Sequence, residues 1–202
     1  EGEAAGAGKR SLPELLRLPG VPQVMACFFC YCALEVTIGM WAASYCTLVR
    51  GIPATEASAW GSIFYLGVTA GRLVSGFITF RVNDRNMIRL GQMICAAGIL
   101  LIALPAGNAA LLPGLLLLGL GCAPIYPAII HETPLNFGAE NSQGVIGIQM
   151  ASAYVGTTLM SPLFGLLGET ISFAILPAYL AVVLLVMFGM AEWLHRRTQP
   201  VR

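Results

Sequence analysis

Long apolar runs, separated by short polar breaks, make up most of this chain. Six runs can be delimited, at residues 21–49, 57–80, 87–105, 109–130, 142–168 and 171–194. About 20 apolar residues cross the hydrocarbon core of a bilayer as a helix, so each run predicts a transmembrane helix. The breaks contain the charged residues, glycines and prolines that end helices, and the polar segment 131–141 predicts a loop. The pattern therefore predicts an all-α bundle of six transmembrane helices.

The sequence before and after the runs is more polar. Residues 1–20 are rich in glycine and alanine and then carry charges and prolines, which is typical of a linker that leads to the membrane surface. We expect a cytoplasmic linker and juxtamembrane segment at 1–20, the six-helix bundle at 21–195, and a cytoplasmic tail at 196–202. Because the chain starts with Glu1 and shows no signal-peptide pattern, we expect it to be a piece of a longer protein.

The composition agrees with an integral membrane protein. Hydrophobic residues make up 57% of the 202 residues and charged residues 10%, whereas about 25% charge is usual in soluble domains. The net charge of +1 gives no indication of a nucleic-acid partner. The six cysteines all fall inside apolar runs and form no zinc-binding pattern with histidine. We expect them to be buried apolar side chains, and we expect no metal site and no cofactor.

Basic residues are distributed unequally over the two predicted sides of the bundle. Six spans place both termini on one side, together with the loops after the second and fourth runs. That side carries Lys9, Arg10, Arg17, Arg81, Arg85, Arg89, Arg196, Arg197 and Arg202. The opposite side carries Arg50 alone, so the positive-inside rule predicts that both termini are cytoplasmic.

Polar and small residues are concentrated on four of the six runs. In the second run they recur in steps of three and four, which places them on one helical face. They are Ser58, Ser62, Tyr65, Thr69, Arg72, Gly76 and Thr79. The first, fourth and fifth runs also carry polar or small residues centrally, whereas the third and sixth are almost wholly apolar there. We expect the first, second, fourth and fifth helices to line a polar interior, and the third and sixth to support them.

Two charged residues lie well inside the runs. Glu35 is near the middle of the first run, where an ionised side chain costs about 3 kcal/mol or more to insert. A carboxyl group there can hold a proton in apolar surroundings and release it when water or a cation arrives; a structural hydrogen bond to a neighbouring helix is the alternative. Arg72 lies about two turns from the next loop, so it can reach the interface or pair with an acid there, Asp84 and Glu132 being the candidates. We expect a structural or gating role, with direct contact with the substrate as the alternative.

Two prolines, Pro124 and Pro127, stand inside the fourth run. Proline removes a backbone hydrogen bond and kinks a helix, and the freed carbonyl groups must lie beside protein or water. We expect a kink here, and packing and gating both remain open as its role.

The segment Gly71–Gly91, GRLVSGFITFRVNDRNMIRLG, resembles the cytoplasmic loop between the second and third helices of each half of major facilitator superfamily carriers. Gly76, Arg81 and Arg85 keep the frame of the family motif, whereas Phe80 stands where the family usually has Asp. The resemblance implies a gating position for both arginines.

Three other segments are similar to the fucose:proton symporter family and related sugar carriers. EVTIGMW, residues 35–41, resembles the seventh helix of that family; residues 121–138 resemble the tenth helix and its exit, and residues 147–165 the eleventh. The resemblance implies the C-terminal half of a major facilitator fold, built from two three-helix inverted repeats. It also implies a role for Glu35 as the coupling or substrate-binding acid. The implied hydrogen-bonding residues of the cavity are Tyr31, Tyr65, Thr69, Tyr126 and Gln149, and the implied stacking surface for a sugar is Trp41.

The function implied is secondary active transport of a small polar solute, such as a sugar, coupled to protons in a twelve-helix alternating-access carrier. Its partners would be the solute, protons, the lipid bilayer, and a missing N-terminal half or a second copy; no nucleic acid is expected. The location would be a bacterial inner membrane. Alternatives are a half-size carrier that acts as a homodimer, and a non-transporting scaffold or assembly subunit. An intramembrane enzyme is not expected, because His131 and His195 stand at predicted span ends and no nucleophile motif accompanies them.

Overall fold

A computed structural model describes residues 10–105 and 107–198 of the chain. Predictions for residues 1–9 and 199–202, including Lys9 and Arg202, lie outside this range. The described α-helices are α1 (Leu12–Leu16), α2 (Val21–Leu48), α3 (Ala54–Ile78), α4 (Asp84–Ala103), α5 (Leu111–Phe137), α6 (Ala139–Thr170) and α7 (Leu176–Arg197). Short 3-10 turns precede α5 and α7. Helices α2 to α7, with these turns, are long and apolar enough to cross a membrane, which confirms the all-α prediction with six spans.

The predicted loop at 131–141 is wrong. Helix α5 continues to Phe137, and α6 begins after the single residue Gly138, which has a positive φ of 83°. Three of the polar residues that suggested a loop, Glu132, Thr133 and Asn141, are buried. Each has a polar partner inside the protein, and a polar side chain that is satisfied in this way does not need solvent.

The six long helices are arranged as two interlocked triplets, α2–α4 and α5–α7. Helix α2 packs chiefly on α6 and α7, and α5 packs chiefly on α3 and α4. The first helix of each triplet thus inserts between the second and third helices of the other. Because each triplet crosses the membrane three times, the second runs in the opposite direction to the first, as in inverted repeats.

Small residues allow the two triplets to approach closely. A side chain added at Gly67 of α3 or Gly119 of α5 would collide with the backbone of the facing helix. At the corresponding contact between α6 and α2, the hydroxyl of Ser152 donates to the carbonyl oxygen of Met25 at 2.9 Å, and Gly156 lies against the backbone of α2. Close approach at small residues is the usual means by which membrane helices associate.

One face of α3 is left uncovered within the described chain. All seven residues of the predicted polar stripe are exposed, whereas Gly61, Phe64 and Gly71 on the opposite face are buried. The stripe therefore faces away from the six-helix core. In contrast, the exposed residues in the middle of α7 are apolar, such as Val182 and Leu185, as expected for a helix that contacts lipid.

Candidate functional site

An open cavity of about 600 Å³ lies between α2, α3 and α5, with one contribution from α4. The structure brings five predicted site residues to its wall: Glu35, Arg72, Pro124, Tyr126 and Pro127. The two prolines lie within α5, which is continuous through both positions, and their gating role stays a prediction. Helices α2, α3 and α5 were predicted to line the interior, whereas α4, which contributes Met87, was predicted to support them; no residue of α6 lies on this wall.

Glu35 and Arg72 face each other across this cavity. The Nη2 atom of Arg72 lies 3.8 Å from Oε1 of Glu35, and the side chains are 63% and 23% exposed. This distance exceeds that of a hydrogen bond, so the two groups interact as charges without sharing a proton. Glu35 is at the centre of α2, and Arg72 reaches it from the uncovered face of α3.

The partners predicted for Arg72 are wrong. Asp84 lies 2.7 Å from the imidazole of His131, and Glu132 accepts a hydrogen bond of 3.0 Å from Arg85. Both acids are therefore engaged at the ends of α4 and α5, and the acid within reach of Arg72 is Glu35.

An aromatic cluster lies beside Glu35. The ring of Tyr126 lies 5.1 Å from that of Phe28 and 6.1 Å from that of Tyr31, measured between centroids. Tyr31 is 1% exposed, and among the described residues its hydroxyl has no hydrogen-bond partner. Tyr126 is 38% exposed, and its hydroxyl lies 3.6 Å from the sulfur of Met150. Tyr126 is therefore the member of the cluster that a solute can reach.

Two predicted site residues lie elsewhere. The indole Nε1 of Trp41 donates to the carbonyl and hydroxyl oxygens of Ser161, both at 3.1 Å, and its ring packs against Phe164 and Phe173. Gln149 is fully buried and donates to the hydroxyl of Thr133 at 2.9 Å. Both side chains join helices, and neither lines the cavity.

Three further predicted residues are exposed. Tyr65 and Thr69 lie on the same face of α3 as Arg72, and the hydroxyl of Thr69 donates to the carbonyl oxygen of Tyr65 at 2.9 Å. Arg81 lies in the turn between α3 and α4, where its side chain forms no hydrogen bond or ion pair with the described residues. Their roles in binding and gating stay predictions.

A buried charge cluster lies at one end of the bundle. Of its members, the sequence analysis predicted only Arg85 as a site residue. Glu132 of α5 accepts a hydrogen bond from Nε of Arg85, and its other oxygen lies 3.4 Å from Nε2 of His195 of α7. Arg85 also donates to the carbonyl oxygens of His195 and Thr198. Nearby, Arg89 holds Glu192 through two hydrogen bonds of 2.5 and 2.8 Å. The cluster joins α4, α5 and α7.

A sequence signal for this cluster exists. Arg85 and Arg89 are four residues apart in α4, and Glu192 and His195 are three apart in α7, so each pair shares one helical face. Basic residues on one face at the end of one span, and an acidic residue on one face at the end of another, suggest that the two faces meet. The sequence does not show which helices are neighbours.

Six crossing helices in two interlocked triplets, with a charged cavity between them, define the class as a repeat-built α-helical membrane protein. The chain belongs to the Major Facilitator Superfamily, whose family model matches residues 24–202. This is a superfamily of transporters rather than enzymes, in agreement with the prediction that the chain is not an enzyme.

The similar proteins include an uncharacterised MFS-type transporter of Yersinia pestis, with 26% identity over 177 residues. That alignment covers 84% of this chain and 44% of the relative. Among solved structures, the transporter FucP in its outward conformation superimposes with a TM-score of 0.81 at 18% identity, over 98% of this chain and 48% of FucP. The Escherichia coli fucose:proton symporter FucP gives 0.78 at 19% identity, over 93% of this chain and 45% of the symporter.

The POT family transporter PepTSo is also similar, with a TM-score of 0.75 at 18% identity, over 91% of this chain and 38% of PepTSo. At these identities the likeness shows the fold, because carriers named for a sugar and for peptides share it equally. The chain spans about half the length of the relatives that it matches. The predicted half of a major facilitator fold is thus confirmed.

Proposed function

We propose that this chain forms one half of an alternating-access carrier that moves a small polar solute together with protons. The observation that carries the proposal is the pair of Glu35 and Arg72 in an open cavity between membrane-spanning helices. Charged side chains inside membrane spans are costly, and those that are kept usually line a pathway for solutes or protons. Relatives described as transporters support the same conclusion.

The second wall of the cavity comes from another six-helix unit in this proposal. The polar face of α3 is exposed, and a face with Arg72 and several hydroxyl groups is unsuited to contact with lipid tails. A missing N-terminal half or a second copy of the chain would cover it. Transport then follows from rocking of the two units about a site near the middle of the membrane.

Glu35 is the proposed proton-carrying group. Protonation of its carboxylate removes the negative charge that attracts Arg72. The conformation in which the two side chains are close then becomes less stable relative to the other conformation. Solute binding and proton binding at one cavity are in this way linked to the conformation of the carrier. The solute proposed from the resemblance to sugar carriers is a sugar or a molecule of similar size and polarity.

The proposed location is a bacterial inner membrane with both termini in the cytoplasm. The support is the unequal distribution of basic residues, and residues 1–20 and 196–202 would form the cytoplasmic linker and tail. The packing of Gly20, at the start of α2, against Phe137 and Leu194, at the ends of α5 and α7, supports a common side for both described ends.

The test is solute uptake into liposomes that contain the full native protein carrying this chain. With an inward proton gradient, accumulation of a solute from a panel of sugars and sugar acids is expected. Replacement Glu35→Gln should abolish proton-driven accumulation and spare solute exchange, because the amide cannot release a proton. The control Glu169→Gln, at an exposed acid near the end of α6, should behave as the original protein.

If Glu35→Gln accumulates solute as well as the original protein, Glu35 has a structural role and the proton-coupling proposal is wrong. If no solute moves, whereas the chain co-purifies with another membrane complex, the scaffold alternative is favoured.

A further inference from the structure

We propose that the solute is a small organic monoanion, bound through its acidic group by Arg72 while Glu35 holds the proton. This inference rests on the proposed carrier function and narrows its substrate class, because it replaces a neutral sugar by an anion of similar size. It follows from three properties of the described cavity wall: a guanidinium group without hydrogen-bond partners, the small number of other donors, and the charge balance.

The guanidinium group of Arg72 is available to a ligand. Its side chain is 63% exposed, and within residues 10–105 and 107–198 it forms no hydrogen bond. Its one ionic contact is the carboxylate of Glu35, at 3.8 Å. A guanidinium presents five N–H donors in a planar fork that matches a carboxylate or phosphate. A cation that keeps its donors free inside a membrane-spanning bundle is suited to bind an anion.

The rest of the wall offers few donors to a neutral polyhydroxylated solute. The hydroxyl groups of Ser75 and Thr79 are engaged, because they donate to carbonyl oxygens of their own helix at 3.1 and 2.7 Å. The hydroxyl of Tyr126, which lies 3.6 Å from the sulfur of Met150, is the phenolic donor on this wall. Most other lining groups are apolar. The predicted sugar-stacking Trp41 does not line the cavity. A solute with one anionic group on a largely apolar body fits this wall better.

The charge balance links the anion to a proton. The titratable or charged groups around Glu35 are Tyr31 and Cys32 of α2, Arg72 of α3, and Cys122 and Tyr126 of α5. Thiols and phenols are ordinarily neutral at pH 7, so the charges on the described wall around Glu35 are those of Glu35 and Arg72, which cancel.

A solute anion and the carboxylate of Glu35 compete for the same guanidinium. When Glu35 binds a proton, Arg72 is left without a counter-charge and accepts the anion, which restores neutrality. When Glu35 releases the proton, its carboxylate displaces the anion. One proton therefore accompanies one monoanion, and net charge does not cross the membrane. A neutral sugar carried with a proton would instead leave the loaded cavity positive.

Ligand binding to the purified protein in detergent tests this directly through the midpoint of thermal unfolding. The probes are two matched pairs: benzoate with benzamide, and galacturonate with fucose. At about pH 5.5, where the higher proton concentration favours protonated carboxyl groups, an acid of the panel should raise the midpoint more than at about pH 8, and its neutral counterpart should not raise it. In Arg72→Gln the affinity for that acid should fall about tenfold to a hundredfold, the usual range for a lost charged hydrogen bond. Arg72→Lys should retain part of the affinity for the acid, because the positive charge is kept.

Two variants provide the controls. Glu35→Gln should bind the acid equally well at both pH values, because the competing carboxylate is absent. Arg17→Gln removes an exposed arginine outside the cavity and should behave as the original protein. The inference is overturned if a neutral probe is preferred, if Arg72→Gln binds the acid unchanged, or if no acid of the panel binds.

Transport separates this inference from the carrier proposal. Uptake of the bound acid into liposomes should respond to a pH gradient and be unaffected by a potassium diffusion potential set with valinomycin. Binding of the acid without any transport would leave the inference standing and overturn the carrier function. Proton-driven uptake of fucose that is unchanged in Arg72→Gln would confirm the carrier function. It would also overturn the inference that the solute is an anion bound by Arg72.

Discussion

Glu132 is a buried acid of α5 whose polar partners lie on two other helices. It is 4% exposed, accepts a hydrogen bond from Arg85 and lies beside His195, so it joins α4, α5 and α7. A buried charge without its partner is far less stable than the intact pair, although the intact pair itself contributes little over an apolar replacement. The effect of a substitution here therefore reflects the cost of leaving Arg85 unpaired.

We predict that Glu132→Gln lowers the free energy of unfolding by about 3 kcal/mol, the lower part of the range for a broken buried ion pair. The effect should lie at the lower end because the Arg85 side chain is 24% exposed, so water can solvate part of its charge. The measurement is thermal or denaturant unfolding in detergent, followed by circular dichroism. Glu169→Gln, at an exposed acid, should change stability by less than about 0.5 kcal/mol. Equal stability of the two variants would contradict the assignment.

Gln149 is a neutral polar side chain that is also buried between helices. The resemblance to sugar carriers implied that this polar side chain, inside an apolar run, lines the cavity. The structure pairs it with Thr133, which also donates to the carbonyl oxygen of Ile129 at 2.9 Å. A buried amide that finds a partner in a neighbouring helix costs little. Polarity inside a span therefore does not by itself distinguish a site from a helix contact.

At the scale of elements, the contact between α3 and α5 depends on the absence of side chains. Gly67 and Gly119 lie where the two backbones meet, and a Cβ atom at either would overlap main-chain atoms of the other helix. The spacing of Gly67, Gly71 and Ser75 in α3, each four residues apart, is typical of such a close helix contact. It did not show that α5, rather than the adjacent α4, supplies the facing surface.

We predict that Gly119→Ala destabilises the protein by about 1–3 kcal/mol, the usual cost of overpacking, because neither backbone can yield without separating the helices. The loss of stability is measured by unfolding the variant and the original protein in detergent. The matched control is Gly189→Ala in α7, where an added Cβ meets no atom within 4 Å. There the substitution should be neutral or slightly stabilising, since alanine favours helix more than glycine does. A larger loss at Gly189 than at Gly119 would show that the α3–α5 contact is more adaptable than its geometry indicates.

At the scale of the whole molecule, the orientation in the membrane is open to a direct test. The six native cysteines are buried, so single cysteines introduced at exposed positions can be labelled selectively. Arg17→Cys and Arg81→Cys should react with a membrane-impermeant maleimide from the cytoplasmic side. Pro105→Cys and Thr170→Cys should react from the opposite side. All four positions are exposed, and the expectation follows from the positive-inside rule.

Labelling intact cells and inverted vesicles separately makes the result unambiguous. Reaction of the first pair in intact cells and of the second pair in inverted vesicles would reverse the proposed orientation. Reaction of all four from one side would contradict the six-span arrangement itself.

The sequence by itself determined the class of this protein and the content of each helix. A bilayer offers no water to backbone groups, so each span must satisfy its own hydrogen bonds locally as a helix. Hydrophobic runs therefore predicted six helices. The step of three and four predicted a single polar face on α3, and the cost of charge singled out Glu35 and Arg72.

Only the tertiary structure decided which side chains meet. The rotation and depth of each helix, and the exchange of partners between the two triplets, depend on the packing of distant segments. For that reason Arg72 faces Glu35 rather than Asp84, and Trp41 and Gln149 join helices instead of lining the cavity. Likewise, the segment 131–141 is helical because Glu132 finds buried partners in other helices, which no local pattern records.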